Sequence, residues 1–270
     1  MNGSLKSKCI GFIGVGVMGQ AIIKSLLVKS TTADQICVTD KVVEKAQEVS
    51  LNFKVSLKSI SEIGQSCEVI LLAVKPQDLE KVLSELKASV KSDTLVVSIA
   101  AGKTIKFIEE NLGSMNPVIR VMPNTPAVIG KGVSVIATGT YANAEHLEIA
   151  NEIFASTGLV IQIPEDKLNA VTALSGSGPA YFFTFIEAMV NAGMELGLTR
   201  EISTTLSIET ISGAAAMLKE SGLDAATLRT NVTSPNGTTA AALEVFSQNS
   251  LEKIVLKAMS AAEKRAQELA

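Results

Sequence analysis

A glycine-rich segment near the amino terminus stands between a short apolar run and a helical pattern. Residues 9–13 are typical of a buried strand, Gly14, Gly16 and Gly19 form a Gly-x-Gly-x-x-Gly motif, and residues 20–27 repeat apolar side chains at helical spacing. In this order the glycines permit a tight turn, approach of a pyrophosphate to the backbone and close helix–strand packing. The helix N-terminus then offers free N–H groups to phosphates. The motif predicts a dinucleotide-binding loop rather than a merely structural turn, formed by Gly14, Val15, Gly16, Val17, Met18 and Gly19.

An acidic residue, Asp40, ends the second apolar run. An acidic residue about 20 positions after the glycine motif usually accepts hydrogen bonds from the adenosine ribose and favours NAD. Asp40 would equally well cap the helix that begins near Lys41. Lys41 could instead contact a 2′-phosphate, so the choice between NADH and NADPH as cofactor stays open.

Later loops also follow predicted strands and should meet the glycine motif at the carboxyl edge of the sheet. Small residues and prolines in these loops make a close, rigid wall for a flat nicotinamide. Lys75 is at least as readily an exposed loop lysine as a catalytic one. The first two loops contain Ala73, Val74, Lys75 and Pro76, and Ile99, Ala100, Ala101 and Gly102, and a third covers residues 122–126.

The second half of the chain contains two unusual strings. Residues 174–181 (Leu-Ser-Gly-Ser-Gly-Pro-Ala-Tyr) place two glycines and Pro179 at the head of a long helix. Residues 231–239 (Asn-Val-Thr-Ser-Pro-Asn-Gly-Thr-Thr) lead into another helix. The N–H groups at that helix start suit a small carboxylate without any Lys or Arg. An ordinary capped turn explains the second string equally well.

The elements that position these motifs fall into two groups. Apolar runs alternate with amphipathic stretches up to residue 163, which is typical of a mostly parallel sheet covered on both faces. From Asp166 onward the pattern is helical only. The sequence therefore predicts an α/β fold, with a Rossmann-like domain over residues 1–163 and an all-helical domain over residues 164–270. The predicted strands are Cys9–Ile13, Ile36–Thr39, Val69–Val74, Leu95–Ile99, Val118–Met122, Val133–Thr138 and Val160–Ile163, and the predicted long helices are Tyr181–Leu196, Arg200–Lys219, Thr239–Ser247 and Leu251–Leu269.

One helix of the second half is apolar on nearly every side. It carries Phe182, Phe183, Phe185 and Met189 within two turns or so. Such a helix is normally buried, and about 100 residues hide little surface by themselves. We therefore expect a dimer interface between the helical halves of two chains.

Composition excludes several classes of function. The 270 residues carry a net charge of −3 and only 8 Phe, 2 Tyr and no Trp, which argues against a nucleic-acid partner. No apolar run approaches the length of about 18 residues that a membrane span needs.

Buried structural thiols are the favoured interpretation of Cys9, Cys37 and Cys67, and the absence of a Cys-x-x-Cys pair argues against a metal site. His146 lies in a polar helical stretch, so a catalytic role is not expected. We expect a protein of the cytoplasm.

Taken in order, the motifs resemble those of the pyrroline-5-carboxylate reductase family. The strings are Gly-Phe-Ile-Gly-x-Gly-x-Met-Gly, Ala-Val-Lys-Pro, Met-Pro-Asn-Thr-Pro, Ala-Leu-Ser-Gly-Ser-Gly-Pro-Ala-Tyr and Thr-Ser-Pro-x-Gly-Thr-Thr. The resemblance spans nearly the whole chain. It implies hydride transfer from NADPH or NADH to the imine carbon of 1-pyrroline-5-carboxylate, which gives L-proline in the last step of proline biosynthesis. It also implies a helical dimerisation domain and a homodimer that assembles further into a decamer of five dimers.

The resemblance also implies roles for individual residues. The substrate carboxylate would bind the backbone N–H groups of Gly237, Thr238 and Thr239 in the loop that starts at Ser234, and the hydroxyl of Thr239 would contact the ring nitrogen. Asn124, Glu165 and Asn231 match family positions near the site, the first two on the cofactor side. Three residues depart from the family pattern, namely Asn236 in place of Gly, Thr230 in place of Asp and Ile60 in place of Asn.

Two other functions share the opening motif. A β-hydroxyacid dehydrogenase would need a lysine in the helix that begins near Tyr181, and residues 181–186 contain no base. A nicotinamide-sensing module without catalytic activity would not need the carboxylate-binding N–H groups of residues 237–239.

Overall fold

The computed structural model describes residues 4–269 and contains one eight-stranded sheet. Its strand order is β3-β2-β1-β4-β5-β6-β7-β8, and every neighbouring pair is parallel except β6 with β7. This arrangement confirms the predicted Rossmann-like, mostly parallel sheet. The strands are β1 (Ile10–Ile13), β2 (Ile36–Thr39), β3 (Ser56–Leu57), β4 (Val69–Leu72), β5 (Leu95–Ser98), β6 (Val118–Met122), β7 (Gly132–Thr138) and β8 (Gly158–Gln162).

Helices cover both faces of the sheet and continue beyond it. The first seven, all before residue 172, are α1 (Val17–Lys29), α2 (Val43–Phe53), α3 (Ile60–Ser66), α4 (Leu79–Lys87), α5 (Ile105–Leu112), α6 (Ala144–Ala155) and α7 (Leu168–Val171). A π-helical turn over Thr172–Gly176 follows. The remaining five are α8 (Gly178–Glu195), α9 (Arg200–Glu220), α10 (Ala225–Asn231), α11 (Thr238–Gln248) and α12 (Leu251–Glu268).

The central strands are continuously buried because they pack on both faces. All four residues of β1 and of β4 are buried. Along β1, Ile10 and Phe12 join one hydrophobic cluster, whereas Ile13 joins the cluster on the opposite face. This alternation follows from the two-residue side-chain period of a strand. Because β1, β2, β4 and β5 are paired in parallel, their carboxyl ends lie at one edge of the sheet. That edge carries the loops that the sequence analysis singled out.

The chain divides into two compact units. One comprises the residues up to Ser177 together with the segment from Ala261 onward, and the other comprises Gly178–Ser260. The change of unit thus falls later than residue 163, and the end of the chain returns to the first unit. The division into domains 1–163 and 164–270 remains a prediction.

The second unit leaves much of its apolar surface uncovered within a single chain. Phe182 and Phe183 on α8 are 60% and 62% exposed. The only buried residues of α8 are Gly178 and Val190. No helix of the described part of the chain has the combination of length and hydropathy needed to cross a bilayer.

Candidate functional site

A cavity of about 670 Å³ lies at the carboxyl ends of β1, β2 and β4. The glycine loop, the end of β2 and the loop after β4 form its wall together with parts of α2, α3 and α4. Six of the residues predicted to hold a cofactor line this cavity, namely Gly14, Gly16, Asp40, Ala73, Val74 and Lys75.

The three glycines of the loop differ in what surrounds them. Gly14 has a φ of +97°, and a Cβ there would lie 2.6 Å from the carbonyl oxygen of Ala73. A Cβ on Gly19 would lie 2.8 Å from the carbonyl oxygen of Gly14, so α1 packs closely on the turn. A Cβ on Gly16 would meet nothing within 4 Å, so open space lies before the backbone at this position. These surroundings match the turn, packing and approach roles that the motif predicts.

The N-terminus of α1 has backbone donors available for an anion. Gly16 is the N-cap residue and no side chain caps the helix. The first amide that is bonded within the helix is that of Gln20, which donates to the carbonyl oxygen of Gly16 at 3.0 Å. The amides of Val17, Met18 and Gly19 therefore precede the first helical hydrogen bond. This donor set, next to the open space at Gly16, fits the pyrophosphate of a dinucleotide.

The carboxylate of Asp40 contacts two backbone amides. Its Oδ2 accepts a hydrogen bond from Val15 N at 2.8 Å, and its Oδ1 accepts one from Val42 N at 3.0 Å. Asp40 therefore both fixes the glycine loop and supports the turn that leads into α2. Beside it, Lys41 Nζ forms an ion pair of 2.7 Å with Asp78.

The cavity also contains charged residues that the sequence analysis did not assign to it. Lys45 comes from α2, and Lys81 and Glu85 come from α4. Their signal in the sequence is weak, because each lies on the polar side of an ordinary amphipathic helix. Only the fold brings these helix positions to the same edge as Asp40.

A capping box fixes the side of the cavity formed by Ser59 and Ile60. The amide and hydroxyl of Ser59 donate to Glu62 Oε2 at 2.8 and 2.7 Å, and Ser59 Oγ accepts a hydrogen bond from Glu62 N. The amide and hydroxyl of Ser59 lower the pKa of the Glu62 carboxyl by stabilising its charged form. This box starts α3 directly at the cavity wall.

Other predicted cofactor residues lie near this edge but outside the cavity wall. The segment 99–101 follows β5, and Pro76 begins a 3₁₀ turn after β4. Asn124 is buried, and its Oδ1 accepts a hydrogen bond from Val133 N at 2.8 Å. Its amide group is therefore used to join the loop after β6 to β7.

The carboxylate of Glu165 is held by two groups of the first unit. Its Oε1 accepts hydrogen bonds from Ile105 N at 2.7 Å and from Arg120 Nη1 at 3.0 Å. The side chain of Arg120 is only 5% exposed. Glu165 thus neutralises a buried guanidinium and caps the start of α5.

The loop before α11 contains one residue with a left-handed backbone conformation. Asn236 has a φ of +58°, the left-handed conformation that Asn tolerates better than most residues. Gly237 donates its N–H to the carbonyl oxygen of Ser234 at 3.0 Å, which closes a turn. A Cβ on Gly237 would lie 2.4 Å from Ser234 Oγ. Asn231 is the last residue of α10 and precedes this loop.

The turn changes which amides are available to a carboxylate. The Gly237 N–H, expected to contact substrate, is instead used inside the loop. α11 has no side-chain cap, and its first internal bond runs from Ala241 N to the carbonyl oxygen of Gly237 at 3.1 Å. The amides of Thr238, Thr239 and Ala240 therefore stand at the helix N-terminus with the positive end of the helix dipole.

The sheet and the glycine loop define a dinucleotide-binding protein of the Rossmann class. A family model described as pyrroline-5-carboxylate reductase dimerisation matches residues 165–269. The curated pyrroline-5-carboxylate reductase of Pseudomonas aeruginosa is 39% identical over 97% of this chain and 96% of its own. The chain belongs to the pyrroline-5-carboxylate reductase family.

Solved structures agree with this assignment. A pyrroline-5-carboxylate reductase from Coxiella burnetii superposes with a TM-score of 0.89 at 35% identity, covering 98% of this chain and 99% of that one. The pyrroline carboxylate reductase of Plasmodium falciparum, solved with NADP bound, gives a TM-score of 0.88 at 32% identity, covering 97% and 98%. A family model described as NADP oxidoreductase, coenzyme F420-dependent, matches residues 9–102, the segment that contains the glycine loop.

Proposed function

We propose that this chain reduces 1-pyrroline-5-carboxylate to L-proline with NADPH or NADH, the last step of proline biosynthesis. The observation that carries the proposal is the uncapped N-terminus of α11, with Thr238 and Thr239 in its first turn, in a chain of this family. A dinucleotide-binding protein without a substrate of its own would not need this second anion-binding helix N-terminus. The anion chemistry of this N-terminus suits a small carboxylate.

The first unit would hold the cofactor. The amides of Val17, Met18 and Gly19 would bind the pyrophosphate, and Ala73, Val74 and the segment 99–101 would line the dinucleotide. When bound, the cofactor supplies the hydride. The glycine loop, which Asp40 fixes, would position the cofactor, and the lysines of the cavity wall would supply positive charge to its phosphates.

We assign the adenosine end of the cofactor to the region around Asp40. Lys41, Lys45 and Lys81 lie in the wall of the same cavity, and both oxygens of Asp40 already accept backbone hydrogen bonds. Because the Asp40 carboxylate already accepts hydrogen bonds from the backbone, it is not free to accept them from ribose hydroxyls. The neighbouring lysine side chains suit a negatively charged 2′-phosphate better than an unphosphorylated ribose. This arrangement favours NADPH.

The second unit would bind the substrate. The amides of Thr238 and Thr239 would hold its carboxylate, Ser234 and Gly237 would shape the turn, and Asn231 would stand beside it. The hydroxyl of Thr239 would hold the ring nitrogen or relay a proton to it. A threonine hydroxyl is sufficient for this role, because a protonated imine is already electrophilic and needs orientation more than acid catalysis.

The main alternative is oxidation of a β-hydroxyacid, which requires a proton acceptor at the alcohol. The first two turns of α8 offer Tyr181, Phe182 and Phe183 but no lysine. NADPH oxidation measured with 1-pyrroline-5-carboxylate, beside reduction of NADP with a panel of hydroxyacids, separates the two functions. Turnover of hydroxyacids alone would refute the proposal.

The role of Thr239 can be tested with two substitutions. Replacing Thr239 by Val keeps the backbone donors but removes the hydroxyl, so we expect kcat to fall about 10- to 100-fold, the equivalent of one hydrogen bond to a charged group. Thr239→Ser restores the hydroxyl and should restore most of the rate. Steady-state kinetics of the three proteins decide the matter, and equal kcat values for Val and wild type would remove Thr239 from the mechanism.

We further propose a homodimer, assembled into a decamer of five dimers, in the cytoplasm. The family model matched by residues 165–269 is one of dimerisation, and α8 exposes large aromatic side chains. A reducing compartment agrees with the free thiols of Cys9, Cys37 and Cys67.

A further inference from the structure

Three cysteines that are far apart in the sequence converge in the first unit. Cys9 directly precedes β1, Cys37 is the second residue of β2, and Cys67 lies between α3 and β4. The Sγ atom of Cys9 lies 3.0 Å from that of Cys67 and 3.6 Å from that of Cys37. All three sulfurs lie within 4.8 Å of one another.

Strand register and one glycine explain why the sulfurs meet. Gly11 of β1 pairs with Cys37 of β2, and Cys9 lies two residues before Gly11 and therefore on the same face. Gly11 has no side chain to separate them. A Cβ at Gly11 would lie 3.1 Å from Cys67 Sγ and 2.3 Å from Ile63 Cγ2. The space left by this glycine is filled by Ile63 and by the Cys67 thiol, which brings Cys67 Sγ to the face of β1 that carries Cys9.

The thiols lie beside a cationic side chain. Ser66 Oγ lies 3.8 Å from Cys67 Sγ. Lys58 Nζ hydrogen-bonds Ser66 Oγ at 3.0 Å, which keeps the ammonium group beside the cluster. Cys37 and Cys67 are buried, whereas Cys9 is partly exposed and leaves a path from solvent.

The donor set selects a particular kind of cation. Thiolates prefer soft cations such as Cu(I), and structural zinc sites require four ligands. Within the described residues, no imidazole or carboxylate oxygen joins this group of three sulfurs. A trigonal site with metal–sulfur bonds of about 2.3 Å places its sulfurs about 4 Å apart. The Cys9–Cys67 and Cys9–Cys37 separations need to widen by about 1 Å or less to reach that spacing.

We propose that Cys9, Cys37 and Cys67 form a three-thiolate site that binds one Cu(I) ion per chain. Three sulfur–copper bonds form, each of the three thiols releases its proton to the solvent, and no electron is transferred. The ion joins the amino ends of β1 and β4 to β2. The site is independent of the reaction proposed above, because none of its ligands belongs to the cofactor cavity or to the loop before α11.

The binding experiment uses the reduced, full-length protein without oxygen. Cu(I) is titrated in competition with a chromophoric Cu(I) chelator. We expect one ion per chain, a near-ultraviolet sulfur-to-copper charge-transfer band, and protection of all three thiols from a thiol reagent. X-ray absorption at the copper edge should find three sulfur neighbours. Loss of all bound copper to the chelator, or two sulfur neighbours in place of three, would overturn the proposal.

Variants identify the ligands. Cys9→Ser, Cys37→Ser and Cys67→Ser should each lower Cu(I) affinity at least about tenfold, since even outer-shell changes cost that much. Thr94→Val is the matched control, because the Thr94 hydroxyl donates to the carbonyl oxygen of Cys67 at 3.1 Å without touching a sulfur, and its affinity should equal that of wild type. Circular dichroism identifies any variant that fails to fold, and Cys9→Ser, at the least buried position, carries the test in that case.

Three further results would contradict the assignment. A Zn²⁺ affinity above the Cu(I) affinity would exclude a three-coordinate site for a monovalent ion. A Cys9–Cys67 disulfide in protein isolated under anaerobic conditions would show that the cluster stores an oxidised pair rather than a metal ion. Unchanged copper binding in all three folded Ser variants would place the ion elsewhere.

Discussion

The carboxylate of Asp40 joins two segments that must keep a fixed geometry for a dinucleotide to bind. Its two oxygens accept the amides of Val15 in the glycine loop and Val42 before α2. A carboxylate that contacts ribose hydroxyls would discriminate between NADH and NADPH, whereas one that fixes the loop affects both cofactors alike. The hydrogen bonds favour the second role.

Replacement of Asp40 by Ala should therefore weaken both cofactors to a similar extent. Loss of two hydrogen bonds to a charged acceptor costs on the order of 1.5 kcal/mol or more, so we expect KM to rise about tenfold or more for NADPH and for NADH. Glu110→Ala, which removes only the exposed ion pair with Lys106 on α5, is the control and should change KM little. Steady-state kinetics with each cofactor test this expectation, and a rise in KM confined to NADH would instead make Asp40 the ribose acceptor.

At the scale of elements, the N-terminus of α6 contains a capping box that depends on pH. Asn143 Oδ1 accepts a hydrogen bond from His146 N at 3.0 Å, and His146 Nδ1 accepts one from Asn143 N at 3.1 Å. Burial lowers the pKa of His146, and nearby Lys8 lowers it further while Glu145 opposes the shift. A protonated Nδ1 carries a hydrogen and cannot accept the Asn143 amide.

The sign of the resulting pH dependence follows from proton binding. The unfolded chain binds a proton at His146 near the ordinary value of about 6.5, while the folded chain binds it only at lower pH. The free energy of unfolding should thus fall as pH decreases from about 7.5 to about 5, by no more than the roughly 1 kcal/mol that a helix cap contributes. In His146→Gln the side chain does not titrate, so urea unfolding across this range should show a smaller decrease than in wild type. Identical pH profiles of the two proteins would contradict the prediction.

Elements with a strong local signal were predictable, and those held by pairing alone were not. The apolar runs of β1, β2, β4 and β5 are β-branched and buried, so their sequence and their fold agree. β3 has two exposed residues and exists only because it pairs with β2, so no pattern indicates it.

The helix α10 was missed for a different reason. It is only seven residues long and Leu228 is its one large apolar side chain, so it has no apolar stripe to give a helical period. A local signal was nevertheless present, because Asp224 caps the helix by accepting a hydrogen bond from Thr227 N at 2.8 Å. Capping patterns therefore locate polar helices that periodicity overlooks.

The candidate site likewise contains parts that the sequence could predict and parts that only the fold determines. The glycine loop is contiguous in sequence, so its turn and its free amides could be predicted from the order of strand, glycines and helix. Lys45 and Lys81 reach the cavity only through the packing of α2 and α4. The use of the Gly237 amide within its own turn depends on backbone geometry that the sequence does not specify.

At the scale of the whole molecule, the second unit cannot be stable through the burial of its own side chains. α9 buries only Ser203 and Ser207, and α11 buries no residue. Full burial of one large apolar side chain contributes about 1.5–3 kcal/mol, and the large apolar side chains of α8 and α9 are mostly exposed within one chain. A second copy that covers these helices would provide the missing core.

A charged substitution on α8 tests this requirement. Phe183 is 62% exposed in the single chain, and Phe183→Glu would place a carboxylate in the expected interface, where an unpaired charge is strongly unfavourable. We expect light scattering to show a smaller assembly than wild type. Circular dichroism should show loss of helix, since the apolar faces of the second unit are then no longer buried by a second copy. Leu51→Glu is the matched control, because Leu51 is 78% exposed on α2 of the first unit. Its mass and helix content should equal those of wild type, and an unchanged mass for Phe183→Glu would show that this face of α8 is not the interface.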